Sequence, residues 1–209
     1  MSRRLALEAA RTPVVQRALR LERLTVLWNS LEGLIAITSG IVAGSVALIG
    51  FGFDSVIEVS SGVVLLWRLH ADHDVKRRER IELRALRLVG LSFFLLAAYV
   101  AYDALHALLR NEPPEASYTG IVLAALSLIV MPALARAKRR AAAAMKSRAL
   151  EADSRQTEIC AYLSAVLLSG LILNAAFGWW WSDPVAGLAM TPIIAKEGWD
   201  AFRGDPCCD

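Results

Sequence analysis

Residues 51–61 read FGFDSVIEVSS and place two acids inside a segment that is apolar enough to cross a membrane. On a helix, Asp54 and Glu58 lie four residues apart on one face, at a separation of about 6 Å. A carboxylate at the centre of a membrane helix costs about 2.5–3.5 kcal/mol on insertion. Helix packing does not explain two such acids on one helix face. Binding of a divalent cation that exchanges with protons does explain them.

The composition around this stretch is typical of a polytopic membrane protein. The chain has 209 residues, of which 56% are hydrophobic, and its mean hydropathy is +0.45; soluble domains are about 45–50% apolar. We therefore expect the protein to lie in the lipid bilayer. A net charge of +3 does not point to a nucleic-acid partner. Because the sequence shows no nucleophile–base pair and no cofactor-binding loop, we do not expect an enzyme.

Six apolar runs are long enough to cross about 30 Å of hydrocarbon. The predicted spans cover residues 24–42, 45–69, 85–109, 118–135, 154–177 and 184–202. The linker around residues 43–45 is so short that the first two spans must form a tight antiparallel hairpin. Three tryptophans at 179–181 suit a membrane-interface belt between the last two spans. The sequence thus predicts an all-α fold with six transmembrane helices.

The basic residues lie almost entirely on one side of this arrangement. Of the 23 Lys and Arg residues, only Arg110 falls on the side opposite the termini. The positive-inside rule therefore predicts a multi-pass protein of the cytoplasmic membrane with both termini in the cytoplasm.

Three segments are expected along the chain: a cytoplasmic interfacial segment at 1–23, a six-helix transmembrane domain at 24–202, and a short cytoplasmic tail at 203–209 with no soluble domain after it. The basic, alanine-rich stretch 138–152 contains no breaker, so we expect it to extend the fourth helix and lead into the fifth. The cysteines, Cys160, Cys207 and Cys208, form no disulfide framework and fit a reduced compartment. The terminal pair either captures a soft metal or is a frayed tail.

Asp54 and Glu58 are the first candidate metal ligands. Oxygen ligands at this spacing suit a divalent metal without selecting one. The two carboxylates repel each other when both are ionised, so protons and metal compete for them. The alternative is a structural ion pair with a cation in another span, and we expect no Lys or Arg deep in any span.

The fifth span adds polar candidates on one face. Gln156, Cys160 and Ser164 follow at intervals of four, flanked by Asp153 and Thr157. Cys160 as a thiolate is a strong ligand for zinc and similar metals, and Gln156 is a weak oxygen ligand. In the alternative interpretation, Cys160 is a small buried hydrophobe and Gln156 is an interhelical hydrogen-bonding group.

Asp153 is also an auxiliary metal candidate, and the other auxiliary candidates lie outside the fifth span. Glu32 in the first span either faces the same polar cavity as Asp54 or accepts hydrogen bonds from Ser or Thr. The cytoplasmic loop HADHD combines two imidazoles and two carboxylates, a composition that suits a metal but is also that of a solvated loop whose acids balance nearby arginines. Its candidate ligands are His70, Asp72, His73 and Asp74.

The sequence GSVALIGFGFDSVIEVSSG, at 44–62, resembles the second span of the cation diffusion facilitators. Members of that family carry Asp-x-x-x-Asp in this span, His-x-x-x-Asp in the fifth, a histidine-containing second loop and Asp-Pro at the start of the sixth. Here Asp183-Pro184, followed by GLAM, is similar to the last feature, and ADSRQTEICAYLSAVLLSG at 152–170 resembles the fifth span without gaps. The resemblance covers about residues 20–204.

The resemblance implies a tetrahedral metal site with altered ligands. Asp54 matches the first acid, and Glu58 replaces the second with one more methylene. Gln156 and Cys160 stand at the fifth-span positions, so the implied site has two carboxylates, one thiol and one amide. The family also implies alternating access by helix rocking. If this protein dimerises as the family does, the dimer forms through the membrane helices.

From these features we expect an exporter that exchanges a divalent metal for protons, with Zn²⁺ as the expected substrate and Mn²⁺, Fe²⁺, Co²⁺ and Cd²⁺ left open. No organic cofactor is expected. Two alternatives remain at this point: a membrane protein that binds metal without transporting it, and a proton-coupled carrier of small molecules.

Overall fold

The computed structural model describes residues 2–70, 75–110, 114–145 and 147–203 of the chain. Within these ranges the backbone forms six α-helices joined by short connections. In chain order they are α1 (Ser2–Ala43), α2 (Val46–His70), α3 (Val75–Arg110), α4 (Tyr118–Met145), α5 (Arg148–Phe177) and α6 (Ser182–Arg203). The prediction of an all-α fold with six helices is confirmed.

The helices α1 and α2 form the tight hairpin that the sequence predicts. Gly44 turns the chain with a φ of 66°, a left-handed conformation that glycine adopts without strain. Glycine also allows the two helices to approach closely, because a Cβ on Gly52 would lie 2.9 Å from the backbone nitrogen of Ile37. This close contact packs the α2 segment that carries Asp54 directly against α1.

The remaining helices pack chiefly as two further pairs, α3 with α6 and α4 with α5. In addition, α1 packs against α4, and α2 packs against α3 and α5. The stretch 138–152 extends α4 as far as Met145 and then leads into α5, as predicted, but the position of the break between the two helices was not predicted. Ser147 has an extended backbone, and its hydroxyl accepts a hydrogen bond from the Leu150 amide at 3.4 Å. This N-cap starts α5 as a separate helix.

Asp183, at the start of α6, holds the beginning of α2. Its carboxylate accepts a 2.5 Å hydrogen bond from the Ser45 hydroxyl and a longer one, 3.5 Å, from the Ala47 amide. A carboxylate at a helix N-terminus satisfies amides that have no partner in the helix. The Asp-Pro pair found in the sequence therefore has a structural role, which is to connect the α1–α2 hairpin to α6.

Five helices contain a segment that is long and apolar enough to cross a membrane. These segments are Val14–Ala43, Val46–Leu66, Phe93–Arg110, Tyr118–Met145 and Asp153–Phe177. α6 is not among them, because Lys196, Glu197 and Asp200 interrupt its second half. α1 continues without a break through residue 23, so the predicted boundary between 1–23 and 24–202 does not coincide with a helix end; that division, and the tail at 203–209, stay predictions.

Candidate metal centre

The two acids of α2 lie in the interior of the bundle. Asp54 is 6% exposed and Glu58 is 2% exposed. Within the described part of the chain, the Asp54 carboxylate accepts no hydrogen bond, and it lies within Coulombic range of Glu32, Glu58 and Glu197. An acid that has acidic neighbours and no donor is an environment that favours an added cation.

Glu32, on α1, is the centre of a buried polar cluster next to these acids. Its carboxylate accepts hydrogen bonds from the Ser55 hydroxyl at 3.0 Å and from the Trp28 indole at 3.3 Å. The Cys160 sulfur lies 4.0 Å from the same carboxylate. Glu32 thus faces the polar interior that includes Asp54 and also accepts a hydrogen bond from a serine, so both expected environments occur together.

The inner face of α5 differs from the predicted one. Asp153, Thr157, Cys160 and Ser164 are buried, at intervals of four, three and four residues, whereas Gln156 is only half-buried. The Thr157 hydroxyl donates a 2.8 Å hydrogen bond to Glu58. α5 therefore presents a threonine to Glu58 and a thiol to Glu32.

A buried lysine, which the sequence analysis did not predict, lies beside the candidate site. Lys138, on α4, is fully buried, and its ammonium lies 2.6 Å from Asp153 and 3.1 Å from Glu22 of α1. It also donates to the Thr157 hydroxyl at 3.3 Å. Asp153, expected as an auxiliary metal ligand, is thus bound to a lysine in this structure. We call Glu22, Lys138 and Asp153 the buried triad.

The sequence contained a signal for the triad that the charge count missed. Lys138 belongs to the buried face of α4. The other members of this face are Met131, Ala135 and Ala142, spaced at three or four residues as on one side of a helix. On α1, the buried residues Ala18, Glu22, Thr25, Asn29, Glu32 and Ala36 follow the same spacing. A charged residue at such a position faces the interior rather than the solvent.

Buried polar atoms around the site lack a hydrogen-bond partner among the described residues. They include one oxygen of Glu58 and the side-chain nitrogen of Gln156, whereas Asn29 interacts with Glu58 and Ser127 interacts with Glu32. Buried polar groups are nearly always paired, so unpaired ones in a cluster indicate a site that is completed by something else. In the described residues, no three His, Cys, Asp or Glu side chains are yet close enough together to hold a metal ion.

Some predicted ligands cannot be placed. α2 ends at His70, but the side chain of this residue lies outside the described part of the structure, as do Asp72, His73 and Asp74. The same holds for Cys207 and Cys208. Their roles in metal binding stay predictions.

Comparison with known proteins matches residues 23–204 to the cation efflux transmembrane domain. An uncharacterized transporter of Methanocaldococcus jannaschii is 28% identical over 85% of this chain and 64% of its own length. The cation-efflux pump FieF of Shewanella oneidensis is 25% identical over 79% of this chain and 58% of its own. Transmembrane protein 163 of Xenopus laevis is 26% identical over 88% and 65%. The chain thus spans less than two thirds of each of these relatives.

Proposed function

Since this chain belongs to the cation efflux family, also called the cation diffusion facilitators, we propose that it exports a divalent metal in exchange for protons. Zn²⁺ is the proposed substrate, with Mn²⁺, Fe²⁺, Co²⁺ and Cd²⁺ as competitors. The cation-efflux name of one relative agrees with this class of substrate. We place the protein in the cytoplasmic membrane with both termini in the cytoplasm, and we propose a homodimer through its membrane helices.

The observation that carries the proposal is the state of the two acids on α2. Both are buried one helical turn apart, and within the described residues Asp54 has no hydrogen-bond donor while Glu58 has one unpaired oxygen. Carboxylates in such a position need positive charge, which protons and a divalent metal supply in turn. Cys160 and Gln156 on α5 are the proposed remaining ligands, and Glu32 is a further candidate because it lies beside Cys160.

The test is metal flux into proteoliposomes under a proton gradient, with Zn²⁺, Mn²⁺, Fe²⁺, Co²⁺ and Cd²⁺ compared. Saturable flux that requires both the gradient and Asp54 supports the exchanger. The key variant is Asp54→Asn, which keeps the shape of the side chain but removes its charge. Its matched control is Glu151→Gln, which removes an acid from an exposed position on α5. Flux that survives Asp54→Asn at the wild-type rate contradicts the proposed site.

The second candidate is a membrane protein that binds metal without transporting it. It is favoured by the α5 face, because Asp153 is bound to Lys138. Folded protein that binds Zn²⁺ but moves none of the five metals would establish this alternative. A proton-coupled carrier of small molecules would instead show no stabilisation by any metal.

A further inference from the structure

Lys138 adds a positive charge to an interior whose other charged groups, among the residues that the structure describes, are acids. It is fully buried, and it is shared by Glu22 of α1 and Asp153 of α5. Within the described ranges, both oxygens of Glu22 and one oxygen each of Asp153 and Glu58 have no hydrogen-bond partner. One ammonium therefore serves three buried carboxylates, one of which is a proposed metal ligand.

A single hydroxyl connects the ammonium to the proposed site. Lys138 donates to Thr157 at 3.3 Å, and Thr157 donates to Glu58 at 2.8 Å. In addition, Lys138 attracts Glu58 directly through Coulombic interaction. Because electrostatic interactions are strong in a buried environment, the charge of Lys138 reduces the attraction of Glu58 for any other cation.

The contact between α4 and α5 does not depend on Lys138 alone. The same two helices, α4 and α5, are already joined by a second ion pair between Arg139 and Glu158, which lies on the surface next to Lys138. That pair connects the helices without burying a charge, whereas a buried ion pair is at best weakly stabilising because both partners lose their hydration. The position of Lys138 beside Glu58 therefore calls for a role at the site.

We propose that Lys138 sets the affinity of the metal site as a tethered cation that competes electrostatically with the bound metal and so allows the metal to leave. Release requires that binding is weak enough for exit, and a fixed positive charge next to Glu58 weakens it. Lys138 is a positioning and affinity-determining residue here, since it acts on the metal through Thr157 and Glu58. The inference rests on the proposed metal-binding function of Asp54 and Glu58.

The experiment measures Zn²⁺ affinity by calorimetry on the purified full chain in detergent, with Cys207→Ser and Cys208→Ser in every variant to remove terminal thiols. Lys138→Gln is expected to lower the Kd for Zn²⁺ by at least about ten-fold. In proteoliposomes the same variant should lower both KM and the maximal flux, because the tighter complex releases metal more slowly. Lys138→Arg retains the charge and should stay within about three-fold of the wild-type Kd.

Arg139→Gln is the matched control, since it removes a neighbouring positive charge of α4 that is 55% exposed. Its Kd should equal that of the wild type, because exposed charges are screened. Lys138→Gln leaves Glu22 and Asp153 without their cation, so the double variant Glu22→Gln/Lys138→Gln is tested in parallel. The double variant has the same net charge in the triad as the wild type, but it still lacks the positive charge next to Glu58. The same decrease in Kd is expected.

A folded Lys138→Gln or double variant with the wild-type Kd would overturn the inference. Failure of both variants to fold, while Lys138→Arg folds, would also overturn it, because Lys138 would then be only structural. These results differ from a failure of the proposed function, in which the wild-type protein itself neither binds nor moves Zn²⁺.

Discussion

Two acidic clusters share the buried face between α1, α2, α4 and α5, and they differ in where their positive charge comes from. In the triad, Glu22 and Asp153 are bound to a lysine of the chain itself. Around Glu32 and Asp54, the described side chains supply hydroxyl, indole and thiol groups but no cation. In the first cluster a lysine of the protein balances the negative charge, whereas in the second cluster a bound cation would have to balance it.

Removal of the internal cation should give the largest effect on stability. Lys138→Met leaves Glu22 and Asp153 buried without a partner, which should destabilise the protein by about 3–5 kcal/mol. Asp54→Asn should instead stabilise the metal-free protein, because it replaces a buried acid that has no cationic partner among the described residues. Unfolding of the metal-free protein by SDS measures both changes in stability. Arg139→Met is the control, and its stability should lie within about 1 kcal/mol of the wild type. A destabilised Asp54→Asn would break the contrast between the clusters.

Metal should stabilise the cluster that lacks a cation. At a Zn²⁺ concentration about 100 times the Kd, the folded state should gain about 2.7 kcal/mol, which a chelator reverses. The gain should disappear in Asp54→Asn and persist in Asp153→Asn, since the latter acid belongs to the triad. Thermal unfolding with and without Zn²⁺ is the measurement. An equal loss in both variants would mean that the clusters form one site.

Substitution of the thiol should sharpen the contrast by changing which metal is preferred. Cys160→Ser replaces a soft sulfur with a hard oxygen at nearly the same size, so affinity for Cd²⁺ should fall more than affinity for Mn²⁺. We expect a loss on the order of ten-fold for Cd²⁺, the range for residues that ligate or support a metal. Competition calorimetry with the two metals reports the ratio. An unchanged ratio would place Cys160 outside the site, as a buried hydrophobe.

The smallest effect is expected where a carboxylate has only a structural role. Ser45→Ala removes the 2.5 Å hydrogen bond to Asp183 and should cost about 1 kcal/mol of stability, the usual value for a lost helix cap. The Kd for Zn²⁺ should not change. The conservative replacement Ser45→Thr keeps the hydroxyl and provides the control. A large change in metal affinity in Ser45→Ala alone would link this connection to the site.

The sequence was sufficient for the helices and for the acids of α2. Apolar runs and the short linker at Gly44 determine the hairpin and the six helices, since these depend on local composition and chain geometry. The triad was not predicted, because Lys138 was counted with the basic residues of a cytoplasmic stretch rather than by its place on the buried stripe of α4. Likewise, counting in fours from Cys160 pointed to Gln156, whereas the helical repeat of 3.6 residues brings Thr157 to the inner face.

The hydrogen bonds between Asp183 and the start of α2 hold that end of the helix, so that any tilt of α2 pivots about Ser45. Asp54 lies nine residues beyond Ser45, which is about 13 Å along a helix axis. A tilt of α2 about this fixed end by about ten degrees would therefore move Asp54 by about 2 Å. Metal–ligand distances tolerate only about 0.2 Å, so a small change in helix angle is enough to switch the site between holding an ion and releasing it.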